Sequence, residues 1–566
     1  MRNVFLMKKI IYLLTLILVA GCYKDADFFV PDSTPAEQFV KSGFSGMVTD
    51  ESGAPIAGAR VAIGNRGTET DMNGVYFLEN VSVNIKQSFV SVNKSAYYES
   101  SRTLTAKVNA QINLNFTLIR KQEIGTFAAT AGETFSLPDG AVLEIPMDGI
   151  ADFTGQASFY ANIWDLTDIN FSSQMPGDLI GEDENGEEKS LIPYGMLVIA
   201  SDDDTGTPLK VAPNKTFKIS IPVSDNNPPT TIALWLFDKI EGVWKQKGTA
   251  VLEGQFYVAK VSEFGHWAIA DVAEKIDISG TVFKDSEPAG NILVALHYVA
   301  TGITQFTYTN SRGAYNFKIA ANTSVKVGVY SRACNEFKES KDIAVGVDDL
   351  DNQDFSSGNG ITVFSGQARD CNKELLTDGY AIIDDRLIVK LDETGRFSGM
   401  ISDAADCMPF LNFQTFDTRN QEAAPIALPE NTSPVQIYLV ACERLNEFTN
   451  FSYNNRSLLL SSEAVATLES EGANEEGTIS LADENIGTLL FRFKGNSAGT
   501  YTVSSLELND QLNSKNFEIL ETDVTITLDE TVEMGETLTG SFAGDFLDID
   551  GATHSLSGNF RVIKDN

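Results

Sequence analysis

Three times along the chain the same skeleton returns. A glycine sits inside an apolar run, turn residues follow, and a second glycine closes a tight hairpin ahead of an aromatic residue. The glycine pairs are Gly46 and Gly74, Gly280 and Gly313, and Gly366 and Gly395, giving spacings of 28, 33 and 29 residues. In the first copy Phe44, Met47, Val48, Val61 and Ile63 alternate between Gly, Pro and Asp turns, which is strand–turn–strand chemistry. Gly53 and Gly58 suit turn positions with positive φ, and Asp71-Met72-Asn73-Gly74 reads as an Asx-type hairpin turn. The second copy runs from Ile278-Ser279-Gly280-Thr281-Val282 to Asn310, Gly313 and Tyr315, without the hairpin aspartate. The third runs from Phe364-Ser365-Gly366 to Asp392, Gly395 and Phe397, without the proline. Such repeats predict an all-β chain of tandem modules, arranged as separate beads on an elongated string.

The 566 residues set a prior of about four domains at roughly 150 residues each. Lys and Arg number 42 against 78 Asp and Glu, a formal charge of −36, which leaves no basic footprint for nucleic acid. Thirty-five Phe and sixteen Tyr argue for packed cores, and three His exclude a histidine-rich metal centre.

The pattern Gly46, Asp50, Gly53, Pro55, Gly58, Ala59, Val61, Asp71, Gly74 and Tyr76 resembles the carboxypeptidase regulatory-like domain. The resemblance implies a transthyretin-like, immunoglobulin-like β-sandwich, and in that family this domain is not the catalytic one. The expected layout is a regulatory-like sandwich at 43–121, a central module at 122–273, a second copy at 274–357, a third with cysteines at 358–445, and an acidic β domain at 446–566. All four tryptophans, Trp164, Trp235, Trp244 and Trp267, lie in the central module. With the stretch 134–146, Tyr194-Gly195-Met196-Leu197 and Phe264-Gly265-His266-Trp267, that module resembles the β-rich centre of cartilage intermediate layer proteins. Its tryptophans read as core and lid residues, with a glycan-stacking platform as the alternative. The last segment holds 21 acidic and 6 basic residues, and its runs 540–544 and 557–560 predict a paired terminal hairpin. Only Ser461 to Ser470 reads as even a short helix.

The N-terminus carries an address. Arg2, Lys8 and Lys9 precede an apolar run from Ile10 to Ala20, the length of a signal-peptide core. The string Leu18-Val19-Ala20-Gly21-Cys22 resembles the lipobox of bacterial lipoproteins, which implies cleavage after residue 21 and lipidation of Cys22. Tyr23-Lys24-Asp25-Ala26-Asp27 resembles the acidic export signal of Bacteroidetes-type surface lipoproteins, and 22–42 reads as a tether. The expected place is the outer membrane, held through the lipid and exposed on the cell surface.

Four cysteines remain, Cys334, Cys371, Cys407 and Cys442, an even number in an exported chain and hence two disulfides. Three pairings are open. Strand direction ranks Cys371–Cys442 within the third copy and Cys334–Cys407 across its joint with the second ahead of the others.

Catalytic chemistry finds little support. None of His266, His297 and His554 has a carboxylate three residues on. Gly495-Asn496-Ser497-Ala498-Gly499 matches a nucleophile elbow, with His554 downstream, but Thr500-Tyr501-Thr502-Val503 continues as a strand where an elbow needs a helix. The acidic runs near 183–188, 202–204, 348–354 and 545–551 read as solvated turns; no cofactor is expected, and weak divalent-cation binding stays open. The expected function is non-catalytic binding, adhesion or scaffolding with an unidentified protein or glycan partner. The alternative is a glycan-capture accessory lipoprotein beside an outer-membrane transporter.

Overall fold

The hairpin turn is one device used three times. In the computed structural model, Asp71 Oδ1 accepts the N–H groups of Asn73 and Val75, each at 2.9 Å. Asp392 Oδ1 does the same for Thr394 and Arg396 at 2.7 and 2.9 Å. In the second copy the side-chain oxygen of Asn310 replaces the missing carboxylate, accepting from Arg312 and Ala314 at 2.9 and 3.2 Å. The following glycines have φ of 69°, 72° and 67°. A Cβ at Gly74 would lie 2.4 Å from the Val48 carbonyl oxygen, so glycine is required for space as well as for conformation. Two residues on, Tyr76 donates to the carbonyl of Leu114 at 2.7 Å and Tyr315 to that of Gln353 at 2.6 Å, over Gly46 and Gly280 respectively. Phe397 has no hydroxyl; its ring instead fills the space above Gly366.

The structure describes residues 39–565 apart from 86, 107, 109, 139, 224–227, 358–359, 403–406, 420–421, 445–446, 454–455, 461–462, 472–473, 484–486, 511–514 and 530. The signal sequence, Cys22 and the tether up to residue 38 lie outside the described residues. Strands dominate, and the one helix among the described residues is Phe171–Gln174. In each copy the first strand pairs with the strand after the hairpin on one side and, in parallel, with the last strand on the other. These sets are Phe39–Asp50 with Val75–Asn84 and Gln111–Asn113, Gly265–Lys284 with Ala314–Ala320 and Phe355–Ser356, and Thr362–Asp370 with Arg396–Ile401 and Val435–Ala441. A second sheet closes each sandwich over an apolar core, such as Phe44, Val61, Tyr76, Val90 and Phe116 in the first copy.

The central module is one large curved sheet whose strand Gly265–Lys284 is twenty residues long. Its first half pairs with Glu188–Asp202 and Thr231–Asp238; its second half is the first strand of the second regulatory-like copy. The boundary expected at 273–274 therefore falls inside a continuous hydrogen-bonded strand, and the two modules share a backbone without a linker. In the C-terminal module the expected terminal hairpin is present, with Gly540 opposite Phe560 and Phe542 opposite Gly558.

Two expectations need correction, and the stacking alternative for the tryptophans falls away. Residues Glu463–Glu471 form a strand paired with Asn474–Asp483, not the helix expected over 461–470. Helix-forming residues there are overruled by period-two burial, with Ala466 and Leu468 inside and Val465 out. The tryptophans are 0–5% exposed, so they form no stacking platform. Trp235, Trp244 and Trp267 each donate the indole N–H to a backbone carbonyl, of Ala270, Asp178 and Glu263 respectively, which lets a large amphipathic ring be fully buried. Finally, the beads are not strung out. Asn73 and Asp71 of the first copy hydrogen-bond Tyr380 of the third. Arg102 and Thr103 of the first copy reach the carbonyls of Met175 and Gly242 in the central module. Asn559 of the C-terminal module donates to the Pro55 carbonyl at 2.8 Å, across 504 residues of chain. Residues Val40 to Asn566 form one compact unit.

Disulfides join Cys334 to Cys407 and Cys371 to Cys442. The first ties the second copy to the third and the second closes the third on itself, as strand direction had ranked them.

Candidate functional site

Because the modules close on one another, a cleft of about 1200 Å³ forms where the first copy, the segment around the helix Phe171–Gln174, and the second and third copies meet. Its polar side chains come from distant strands. The first copy supplies Arg102 from the strand Ser100–Leu104, and Asn113 and Asn115 from around its last strand. The second copy supplies Lys318 and Arg332, and the third Arg386.

Each cation is held by specific contacts. Arg102 Nη1 donates to the carbonyls of Ser101 and Met175, both at 2.5 Å, while its buried Nη2 has no hydrogen-bond partner among the described residues. Burial lowers the guanidinium pKa to about 10, with the neighbouring Tyr76 opposing, so it stays charged at neutral pH. Arg332 lies over the Phe306 ring at 4.6 Å and donates to Asn170 Oδ1 at 2.9 Å. Burial, and less strongly Arg386, lowers its pKa. Asn113 and Asn115 both donate to the Arg386 carbonyl, at 3.3 and 2.8 Å, and Asn113 Oδ1 is buried without a partner among the described residues. Lys318 stands 3.7 Å from Asp178, whose carboxyl burial pushes above its usual range, with Lys318 opposing. These cations and amides share the cleft with the carboxylates of Asp50, Glu51, Asp178, Asp384 and Asp385, and Arg386 is paired with Asp384, so the lining is of mixed charge. Such a lining is suited to a polar ligand that carries both donors and acceptors.

The other residues singled out in the sequence lie elsewhere. Trp164, the fourth tryptophan, stacks on His266 at 5.6 Å, and both rings are buried. Burial drives the His266 pKa down to about 3, so it is neutral. His297 faces Thr304 Oγ1 at 3.0 Å. His554 Nε2 contacts Asp548 Oδ2 at 2.8 Å. Ser497 precedes the strand Gly499–Asp510, and the register runs from Gly499 through Leu528 to Gly540, whereas His554 faces Phe546. Six residues of strand put the two about 20 Å apart, so His554 cannot serve as the base of the elbow pattern. In the acidic turns, Asp183 Oδ1 accepts from the N–H groups of Asn185 and Glu187, Asp203 Oδ1 from those of Thr205 and Thr207, and Asp548 Oδ1 from that of Ala552.

No part of the cleft was legible beforehand. Arg102, Asn113, Lys318, Arg332 and Arg386 sit in ordinary strand and turn contexts, and only the closure of the modules brings them together. The one available hint was an arginine at position 102 within a sandwich strand.

The architecture defines a modular all-β protein of tandem sandwiches. Residues 43–119 match the carboxypeptidase regulatory-like domain. No curated protein matches the chain. Among solved structures, a streptococcal ancillary pilin is 7% identical, with 39% of this chain and 94% of that one covered and a TM-score of 0.14. A structure of the major pilin subunit of Bacillus cereus is 10% identical over 71% and 99%, with a TM-score of 0.13. The Bacillus anthracis TIE protein is 12% identical over 62% and 65%, with a TM-score of 0.14. Scores this low carry no argument about function. Among the described residues no helix is long and apolar enough to cross a membrane.

Proposed function

We propose that the chain is a non-catalytic, lipid-anchored protein of the outer membrane, exposed on the cell surface, which binds a partner in the cleft shared by its modules. The observation that carries this reading is the cleft itself. It is larger than the roughly 300–1000 Å³ of ordinary small-molecule pockets, which suits an extended ligand such as a glycan chain or peptide. Direct contacts between modules hold its walls in place, so little ordering is left for binding to drive. The lipobox-like string ending at Cys22 supports the anchor. Capture of a glycan by tryptophan stacking loses its basis, because the rings are buried; a glycan would have to use the amides and guanidinium groups of the cleft.

The test pairs an array of glycans and extended peptides with two proteins, the whole chain and an Asn170→Ala, Arg332→Ala variant. A ligand held by the first and lost at least tenfold by the second places binding in the cleft. Ligands bound equally by both place it elsewhere. Protease shaving of intact cells, with a C-terminal tag and a periplasmic control, checks the location; a tag protected until the outer membrane is broken would refute surface exposure.

A further inference from the structure

The last strand of each regulatory-like copy lies at the edge of its sheet, and the three copies treat that edge differently. In the first copy it is broken into Gln111–Asn113 and Phe116–Leu118, and Asn113 and Asn115 meet the third copy at the Arg386 carbonyl. In the second only Phe355–Ser356 pairs as a strand, and the approach to it is acidic. The Asp349 and Asp354 carboxylates accept the N–H groups of Asp277 and Thr281, and that of Asp351 accepts the Ser279 hydroxyl. Interruption, contact and charge are the usual ways of blunting an edge. The third copy has none of them. Its strand Val435–Ala441, VQIYLVA, pairs over seven positions with Phe364–Asp370 and, among the described residues, with no other strand. It has no charge and no proline, and its outward row is Gln436, Tyr438 (80% exposed) and Val440 (43% exposed).

We propose that this edge pairs with the same edge of a second copy of the chain, antiparallel about a two-fold axis at Tyr438. The segment is its own complement in that register. Tyr438 meets Tyr438 of the partner, Gln436 meets Val440, and on the inner face Ile437 meets Leu439, so no charge stands opposite a like charge. The surroundings also suit it. The outward positions on this three-stranded sheet are Val363, Ser365, Gln367 and Arg369, then Arg396, Ser398 and Met400, then Gln436, Tyr438 and Val440. Two arginines and no carboxylate occupy this face of a chain of charge −36, so two copies can approach here without bringing acidic surfaces together. A seven-residue edge is a small interface, and the dimer it makes is weak and reversible in solution. On a membrane, restricted to two dimensions, the same contact is strengthened by effective concentration.

The experiment is sedimentation equilibrium on the whole chain carrying Cys22→Ala, at low and high salt. The expected result is a monomer–dimer equilibrium that tightens with salt, as the remaining carboxylates are screened. Tyr438→Lys sets two ammonium groups face to face and should weaken the dimer at least tenfold. Val465→Lys, at an exposed position (48%) of the C-terminal module, should leave it unchanged. Register is read by oxidation: Tyr438→Cys should link to itself, and Val440→Cys should link to Gln436→Cys and poorly to itself. A chain monomeric up to about 0.5 mM at both salts, or a dimer indifferent to Tyr438→Lys, overturns the proposal. So does an edge that takes up only a strand from another protein.

Discussion

Tyr380→Phe is the sharpest test of whether the modules are docked or strung. Tyr380 is buried in the third copy, stacked on Phe416 at 5.2 Å and beside Phe77 of the first copy at 5.7 Å. Its hydroxyl donates to Asp71 Oδ2 at 2.5 Å and accepts from Asn73 Nδ2 at 2.8 Å. Phenylalanine keeps the ring contacts and removes only that hydroxyl, leaving Asp71 Oδ2 without its donor in a buried site. A hydrogen bond to a charged group is worth about 1.5–3 kcal/mol, so the docked population should fall roughly 10- to 150-fold relative to the undocked one. The exposed pair Lys390–Glu79, with Nζ and Oε1 2.6 Å apart, adds little energy but reports docking, because a carbodiimide can couple it directly. The urea concentration that halves this coupling should drop by about 1 M for a slope near 2 kcal/mol per M. The sign of the pH dependence is a second check. Burial raises the Asp71 carboxyl above its usual range while the Tyr380 bond opposes. The folded state therefore holds this proton more tightly than the unfolded chain, and the contribution of Asp71 is lost as pH rises. Removing the hydroxyl raises the carboxyl further, so the deficit in Tyr380→Phe should shrink as pH falls towards the carboxylate range. Unchanged coupling in urea would refute the docking role of this contact, and absence of coupling in the parent chain would restore the string of separate beads.

Other consequences can be measured on the same protein. His266 is neutral in the fold, with a pKa of about 3 against 6.5 in the unfolded chain, so above pH 6.5 its burial carries no ionisation cost. Below that, stability should fall by up to about 1.4 kcal/mol per pH unit, and His266→Phe should flatten the decline; parallel acid profiles would contradict it. Removing the Cys334–Cys407 bridge, which closes 73 residues, should cost about 2–4 kcal/mol in the second and third copies. The transition of the C-terminal module should not move, and a shift there would mean that the joint is not local. Gly74→Ala should cost about 2–3 kcal/mol, since φ is 69° and the new Cβ meets a carbonyl oxygen at 2.4 Å. Gly206→Ala, at φ 79° with open space around it, should cost only about 1 kcal/mol; equal losses in calorimetry would remove the steric part of the argument.

What the sequence displayed was whatever is fixed within about thirty residues. The turns at Asp71, Asn310 and Asp392 need a short side-chain acceptor and a glycine three residues later, and both are visible as letters. Strand alternation fixed polarity, and polarity was enough to rank the cysteine pairs, because a disulfide needs its two ends at one pole. The failures have one cause in common. At Ser461 to Ser470 the local composition favours a helix, but the partner strand Asn474–Asp483 decides, and propensity carries no knowledge of a partner. The tryptophans are ambiguous as letters, since the same indole serves a platform or a core; only the carbonyls of Ala270, Asp178 and Glu263, each supplied by the fold, settle which.

Docking between modules was invisible for a stricter reason. Asp71 has two carboxylate oxygens, and the sequence accounts for one. Oδ1 shapes the turn that any reader of the motif expects, while Oδ2 is free in an isolated sandwich and is taken here by a tyrosine 309 residues away. A motif residue can thus be complete locally and still carry the contact that decides the architecture. The cleft follows from the same contacts, since its walls belong to separate modules and exist as one site only while those modules stay closed. Loosening Tyr380 should therefore weaken ligand binding at Arg332 although the two residues belong to different modules. In a string of independent beads that coupling would be zero, so a double-mutant cycle between Tyr380→Phe and Arg332→Ala, read on a cleft ligand, separates the two architectures by a measured interaction energy.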